Sequence, residues 1–227
     1  MKISRIIFTS FFSLIGVFLL SLMFFGFIHK DKKNFNENGD KYETKKIELE
    51  SFSHVYAEAG CKLNIYSAEK PSFSYLVEKE KENNKPVYEI KNDTLFIIST
   101  GTSNHGVLKL MTHNLKTIKA NKSKLHLASI KLDTLSVSLM KTDLRFINKE
   151  VSILYLDLQL SDQSDVKAWN FNGNEVKMDI ENSRCQMSSN SKLRKISGKI
   201  GGNSDVRLPK TGRLDLDIDE SSSVTMH

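Results

Sequence analysis

NSDVRL at 203–208 echoes QSDVKA at 163–168: in both, Ser-Asp-Val is followed by a cation and then an aliphatic residue. Looser copies occur as NKSKLHL, MKTDLRF, ENSRCQM and ESSSVTM, so that Ser123, Thr142, Ser164, Ser183, Ser204 and Ser222 anchor a repeat spaced at 18–22 residues. Most copies follow a second alternating run, such as LSVSL at 135–139, LDLQL at 156–160, VKMDI at 176–180 and LDLDI at 214–218. Each unit is then strand, short polar turn, strand. A period near twenty, made of short alternating strands with no helix between them, is the pattern of a parallel β-solenoid. One unit can neither bury its apolar side nor pair its strand edges alone, and a neighbour stacked at ~4.8 Å supplies both. The expected fold is all-β, a right-handed parallel β-solenoid of ~20-residue coils, with the repeats over 115–227 inside a domain spanning 51–227.

The two-residue period of a strand assigns the faces. Leu125 and Leu127, Leu144 and Phe146, Val166 and Ala168, Cys185 and Met187, Val206 and Leu208, and Val224 and Met226 are predicted to point inward. The anchor Ser or Thr has the same parity, so its hydroxyl belongs at the inner corner, bonded to a backbone group or to the hydroxyl of the adjoining coil. Two outward rows result. One holds Lys124, Asp143, Asp165, Arg184, Asp205 and Ser223, mixed in sign; the other holds His126, Arg145, Lys167, Gln186, Arg207 and Thr225, with no acid. Like charges stacked ~4.8 Å apart repel, and a neighbouring row of aspartates offsets this. The rows are read either as charge balance on a solvated sheet or as a shallow surface for an acidic glycan or other envelope polymer, with Arg145, Lys167 and Arg207 as its cations.

Upstream, the strands continue. Val55 opens one run, Cys61, Leu63 and Ile65 share a parity, and FSYLV, VYEI and TLFIIS follow, with Pro71 and Pro86 at strand starts, where a missing N–H is tolerated. Residues 29–50 are polar until Ile47 and Leu49 and read as a linker. Residues 6–28 are uncharged and apolar, ~34 Å as a helix, enough to cross a bilayer core. The run is long and ends in Phe24, Phe25, Phe27 and Ile28 rather than in a small-x-small cleavage site. Residues 1–28 are therefore expected to be an uncleaved signal anchor, one N-terminal transmembrane helix, in preference to a removed signal peptide.

The order Phe52-x-x-Val55, Gly60-x-x-Leu63-x-Ile65, NDTLFI at 92–97, LKTIKANKSKLHL at 115–127 and the repeats beyond resembles the bacterial "putative auto-transporter adhesin, head GIN domain" family over residues 50–227. That resemblance implies a β-solenoid-like fold and an exported, Bacteroidota-type envelope address, and it implies no activity. The family favours Gly-Ser-Gly-Asp at its turns, whereas Lys122, Lys141, Gln163, Asn182, Asn203 or Ser221 precedes the anchor here.

Little else points to chemistry. The 33 Lys and Arg exceed the 27 acids by a formal +6, but two of the cations precede the apolar segment and the rest are dispersed, with no basic run or arginine-rich groove for nucleic acid. Six histidines show no HExxH, no H-x-H pair and no cysteine at metal spacing, and neither G-x-S-x-G nor a P-loop occurs. No catalytic, cofactor or metal residue is assigned. Cys61 and Cys185 have inward parity in distant coils and are read as free buried thiols in preference to a disulfide. Asp143 and Asp165 fall on adjacent coils, as acid/base pairs do in solenoid polysaccharidases, but their row already has a structural role. Trp169 and Phe171 in KAWNFNGN either cap a corner of the core or form an exposed aromatic platform for a sugar ring. The expected function is a single-pass, membrane-anchored binding or scaffold module of adhesin type, not an enzyme, with its C-terminal domain in the periplasm or at the cell surface. Its expected partners are an envelope polysaccharide or another envelope protein. Two alternatives stand beside it: a sensor or scaffold that pairs with an envelope-stress membrane protein, and a polysaccharide-active β-helix enzyme.

Overall fold

The computed structural model describes residues 42–78, 85–101, 107–147 and 151–227. The apolar segment 6–28 expected to be a transmembrane helix lies outside them. Among the described residues no helix is long and apolar enough to cross a membrane. The chain divides into two compact units, and the larger, Thr44–Val77 with Lys81–His227, contains the solenoid.

Its strands are β1 (Tyr42–Glu48), β2 (His54–Ala57), β3 (Lys62–Ser67), β4 (Ser72–Glu78), β5 (Val87–Lys91), β6 (Thr94–Ser99), β7 (Leu108–Thr112), β8 (Thr117–Asn121), β9 (Lys124–Ala128) and β10 (Lys131–Met140). They continue with β11 (Asp143–Phe146), β12 (Val151–Ser161), β13 (Asp165–Ala168), β14 (Phe171–Asn172), β15 (Glu175–Glu181), β16 (Arg184–Met187), β17 (Lys195–Gly201), β18 (Asp205–Leu208), β19 (Arg213–Ile218) and β20 (Ser223–Met226). Two sheets form. The first runs β1-β4-β7-β3-β9-β11-β13-β16-β18-β20 and the second β19-β17-β15-β12-β10-β8-β2-β6-β5, with β14 beside β12. From β8–β9 onward each coil contributes one strand to each sheet and pairs parallel with the coils before and after it. The expected parallel β-solenoid is present.

The coil order departs from chain order at the N-terminal side. Strand β2 pairs with both β6 and β8, and β3 with both β7 and β9, so the coil β2–β3 sits between β6–β7 and β8–β9. The outer coil is flanked by antiparallel strands, β4 on β7 and β5 on β6. Part of the stretch 29–50 read as linker is the strand β1, and its last apolar residues, Ile47 and Leu49, pack on the core. A polar segment satisfies an edge strand because such a strand has only one side to bury.

Between the sheets, the inward side chains stack in register. Leu63, Leu125, Leu144, Val166, Cys185 and Val206 make one ladder, all 0–1% exposed. Each full burial of such a side chain stabilises by ~1.5–3 kcal/mol. The predicted pair Val224 and Met226 follows the same parity but is only partly covered, Met226 being 40% exposed. In the second sheet the ladder Val137, Leu158, Met178 is interrupted by Gly198 at φ 136, where an added Cβ would lie 1.7 Å from the Met178 carbonyl oxygen. Only glycine fits there.

The corner between the sheets is built by the anchors. Lys122, Lys141, Gln163, Asn182 and Asn203 all take positive φ, 47–69°, at the bend from the second sheet to the first, and Asp162 and Gly202 beside Gln163 and Asn203 are left-handed as well. Those left-handed positions are the ones where glycine would be easiest. Ser123, Thr142, Ser164, Ser183 and Ser204 then follow, buried. The amide of each donates to the hydroxyl of the next coil's anchor: Ser123 to Thr142, Thr142 to Ser164, Ser164 to Ser183 and Ser183 to Ser204 at 3.2 Å, and Ser204 to Ser222 at 3.1 Å. The hydroxyls of Thr142, Ser164 and Ser183 donate in turn to carbonyls two or three residues back, at 2.8–2.9 Å. A hydroxyl has both a donor and acceptor lone pairs, so one atom satisfies two backbone groups that the bend would orphan.

Candidate functional site: a cationic row and its end groove

The outward face of the first sheet carries the two rows in register. The mixed row runs Lys62, Lys124, Asp143, Asp165, Arg184, Asp205, Ser223. The other runs Lys109, Asn64, His126, Arg145, Lys167, Gln186, Arg207, Thr225, with no carboxylate at any step. Lys109, Asn64 and Lys62 were missed by the sequence argument because their coils are out of chain order. Their in–out alternation, Lys62-Leu63-Asn64-Ile65, is nonetheless the same as in the later repeats.

Aspartates of the mixed row partly neutralise the cations beside them. Lys167 Nζ lies 3.2 Å from Asp165 Oδ2, and Asp205 Oδ2 is shared by Arg184 Nε at 3.4 Å and an Arg207 terminal nitrogen at 3.8 Å. These pairs are exposed enough that each is worth little, about 0–1 kcal/mol. Among the described residues Arg145 has no carboxylate partner within ion-pair distance. Beside it, partial burial and then the Arg145 charge push the His126 imidazole below its usual 6.5. Asp143 and Asp165 are register partners across one strand step, as their spacing predicted.

Trp169 and Phe171 separate. Trp169 is 58% exposed at the end of β13, whereas Phe171 is fully buried. Phe171 is therefore not part of a binding surface, and the predicted shared face fails because Asn170 between them has φ 56 and breaks the strand alternation. Phe171 turns in and meets Phe146 edge-on, ring centroids 5.5 Å apart, which is the corner-capping role. Trp169 instead walls a groove of about 300 Å³ whose other sides include Gln186, Ser188, Ser189, Arg207 and His227. The groove lies along the line of the cationic row, so Arg207 belongs to both. Cys61 and Cys185 are free and buried, their thiols pushed up to about 11 and about 12, chiefly by burial. Neither reaches this surface.

Fold and surface together define a two-sheet parallel β-solenoid that presents one acid-free outward row and has an aromatic-walled groove at its side. Solved structures share that fold. The chain resembles a "putative adhesin" from Parabacteroides merdae at TM-score 0.57 and 14% identity over 82% of this chain and 96% of that one. It also resembles a "putative adhesin" from Bacteroides fragilis at TM-score 0.54 and 12% identity, covering 82% and 97%. A "putative lipid binding protein" from Parabacteroides distasonis matches at TM-score 0.54 and 10% identity, again over 82% and 97%. No protein-family model and no curated protein matches the chain.

Proposed function

We propose that this protein is a membrane-anchored, extracytoplasmic binding module of adhesin type, related to the head GIN domain proteins, and that its ligand is an acidic envelope polysaccharide laid along the outward row of the first sheet. The observation that carries the reading is that Lys109, His126, Arg145, Lys167 and Arg207 share one row without a carboxylate. A row held at strand spacing fixes Arg145 and Lys167 ~4.8 Å apart, with Arg207 two strand steps beyond, so a polyanion meets charges already ordered and loses little binding energy to ordering them. The protein is read as a binder, not an enzyme. Exposed Leu214, Ile218 and Met226 on β19 and β20 favour a second reading, a scaffold that docks another envelope protein.

The test is retention of the full-length protein on immobilised polygalacturonate, eluted by a salt gradient. Retention is expected to weaken with salt and to fall roughly tenfold in affinity in the double variant Arg145→Ala/Lys167→Ala. Equal retention on a neutral glucan, or an unchanged double variant, overturns the reading.

A further inference from the structure

The geometry points to the Trp169–Arg207 groove as a subsite for a single uronic acid residue, a pyranose stacked on the indole with its carboxylate on the guanidinium. This rests on the polysaccharide reading above and specifies the sugar. Trp169 directly follows β13 and Arg207 stands on β18, with β16 between the two strands, which separates the strands by two steps, about 10 Å. A pyranose ring is narrower than that interval and lies within the groove that both side chains line. Between the two lie Gln186, Ser188 and Ser189, neutral groups that match ring hydroxyls as donors and acceptors.

Charge distinguishes this groove from two others among the described residues. One, along the corner, is lined by Asp165 and Asp205 against the single cation Arg184, and the other, on the second sheet, by Asp179, Glu181, Asp217 and Asp219 against Lys199, so acids outnumber cations in both. Each would repel an anion. No Asp or Glu side chain lines the Trp169 groove, whose charged side chain is Arg207, with His227 beside it. Arg207 is held to Asp205 only at 3.8 Å and its side chain is half exposed, so the planar fork remains available to a carboxylate in bidentate geometry. The indole face is the apolar complement: a pyranose has one face of C–H groups, and Trp169 is 58% exposed with no ring partner among the described residues.

Trp169 is the single tryptophan of the chain, so its fluorescence reports this groove alone. The experiment is a titration of the full-length protein, in a sugar-free non-ionic detergent, with α-1,4-linked trigalacturonate, its methyl ester, a sulfated neutral trisaccharide and maltotriose. A saturable emission change is expected with trigalacturonate, with the ester and maltotriose binding about tenfold more weakly or less. In Arg207→Gln the acid and its ester should bind alike, while Lys177→Gln, on an exposed position of β15 in the second sheet, should leave the trimer titration unchanged. Wild type that responds equally to acid and ester, or not at all, overturns the subsite, and a preference for the sulfated sugar overturns the uronate assignment. The two readings fail separately. Polymer retention that depends on Arg145 and Lys167 without a fluorescence response leaves the row standing and removes the subsite. A trimer response in a protein whose polymer retention ignores both cations keeps the subsite and removes the row.

Discussion

At the residue scale, the corner residue before each anchor shows a compromise. Lys141 sits exposed at φ 50, a conformation in which an L-residue carries ~1–2 kcal/mol of steric strain. Glycine relieves it but loses ~0.5–1 kcal/mol of unfolded-chain entropy. Lys141→Gly is therefore expected to stabilise the domain by about 0.5–1 kcal/mol, a rise of a few degrees in thermal midpoint by calorimetry; a fall would show that the lysine side chain is needed at the bend. His126 supplies a pH dependence. Its folded pKa is depressed, first by burial and then by Arg145, so between that value and 6.5 the unfolded chain binds the proton and the native chain does not. Stability is accordingly whole above 6.5 and is lost as pH falls below it toward the folded value. Urea midpoints measured from pH 7.5 to 5 should drop further in wild type than in His126→Gln. Equal drops would place the acid sensitivity elsewhere.

At the scale of the strand, the ladder of inward side chains holds the two sheets together and the outward rows contribute almost nothing to that. Val166 is fully buried between Leu144 and Cys185, and an aspartate there has no partner. Val166→Asp should cost several kcal/mol and open the domain to protease, while Arg145→Ala, on an exposed outward position of β11, should stay resistant. Limited trypsin digestion followed by mass measurement compares them. Resistance of the valine variant together with loss of the arginine variant would invert the two faces. The repeat made this assignment readable, because strict alternation holds through β11, β13, β16 and β18.

At the scale of the whole molecule, each coil touches only its neighbours, so stability is a sum over interfaces and position in the stack matters more than position in the chain. Deleting 213–227 removes β19 and β20 and one interface, and the remaining solenoid should keep its protease resistance. Deleting 54–67 removes β2 and β3 from between β6–β7 and β8–β9, breaking two interfaces and stranding the outer coil. That variant should unfold by far-ultraviolet dichroism, and a folded product would mean that β6–β7 can dock directly on β8–β9. The address of the domain has its own test. A C-terminal reporter active only outside the cytoplasm should work and one active only inside should not; the reverse pattern would place residues 29–227 in the cytoplasm and reject the extracytoplasmic proposal.

Period and parity by themselves determined the solenoid, the buried ladder, the hydroxyl corner and the two outward rows, because each follows from local repetition at two and about twenty residues. The tertiary structure decided three things that local repetition does not encode. Which coil lies next to which at the N-terminal side depends on long-range pairing of β2 and β3, and this alone adds Lys109 and Asn64 to the row. Whether Trp169 and Phe171 share a face depends on the backbone of the one residue between them: Asn170, in the left-handed region, sends Phe171 inward against Phe146 and leaves Trp169 outside. The groove exists only across strands, since Trp169 and Arg207 are separated by a full intervening coil and meet because strands stack at a fixed spacing, a distance that no reading along one chain direction contains.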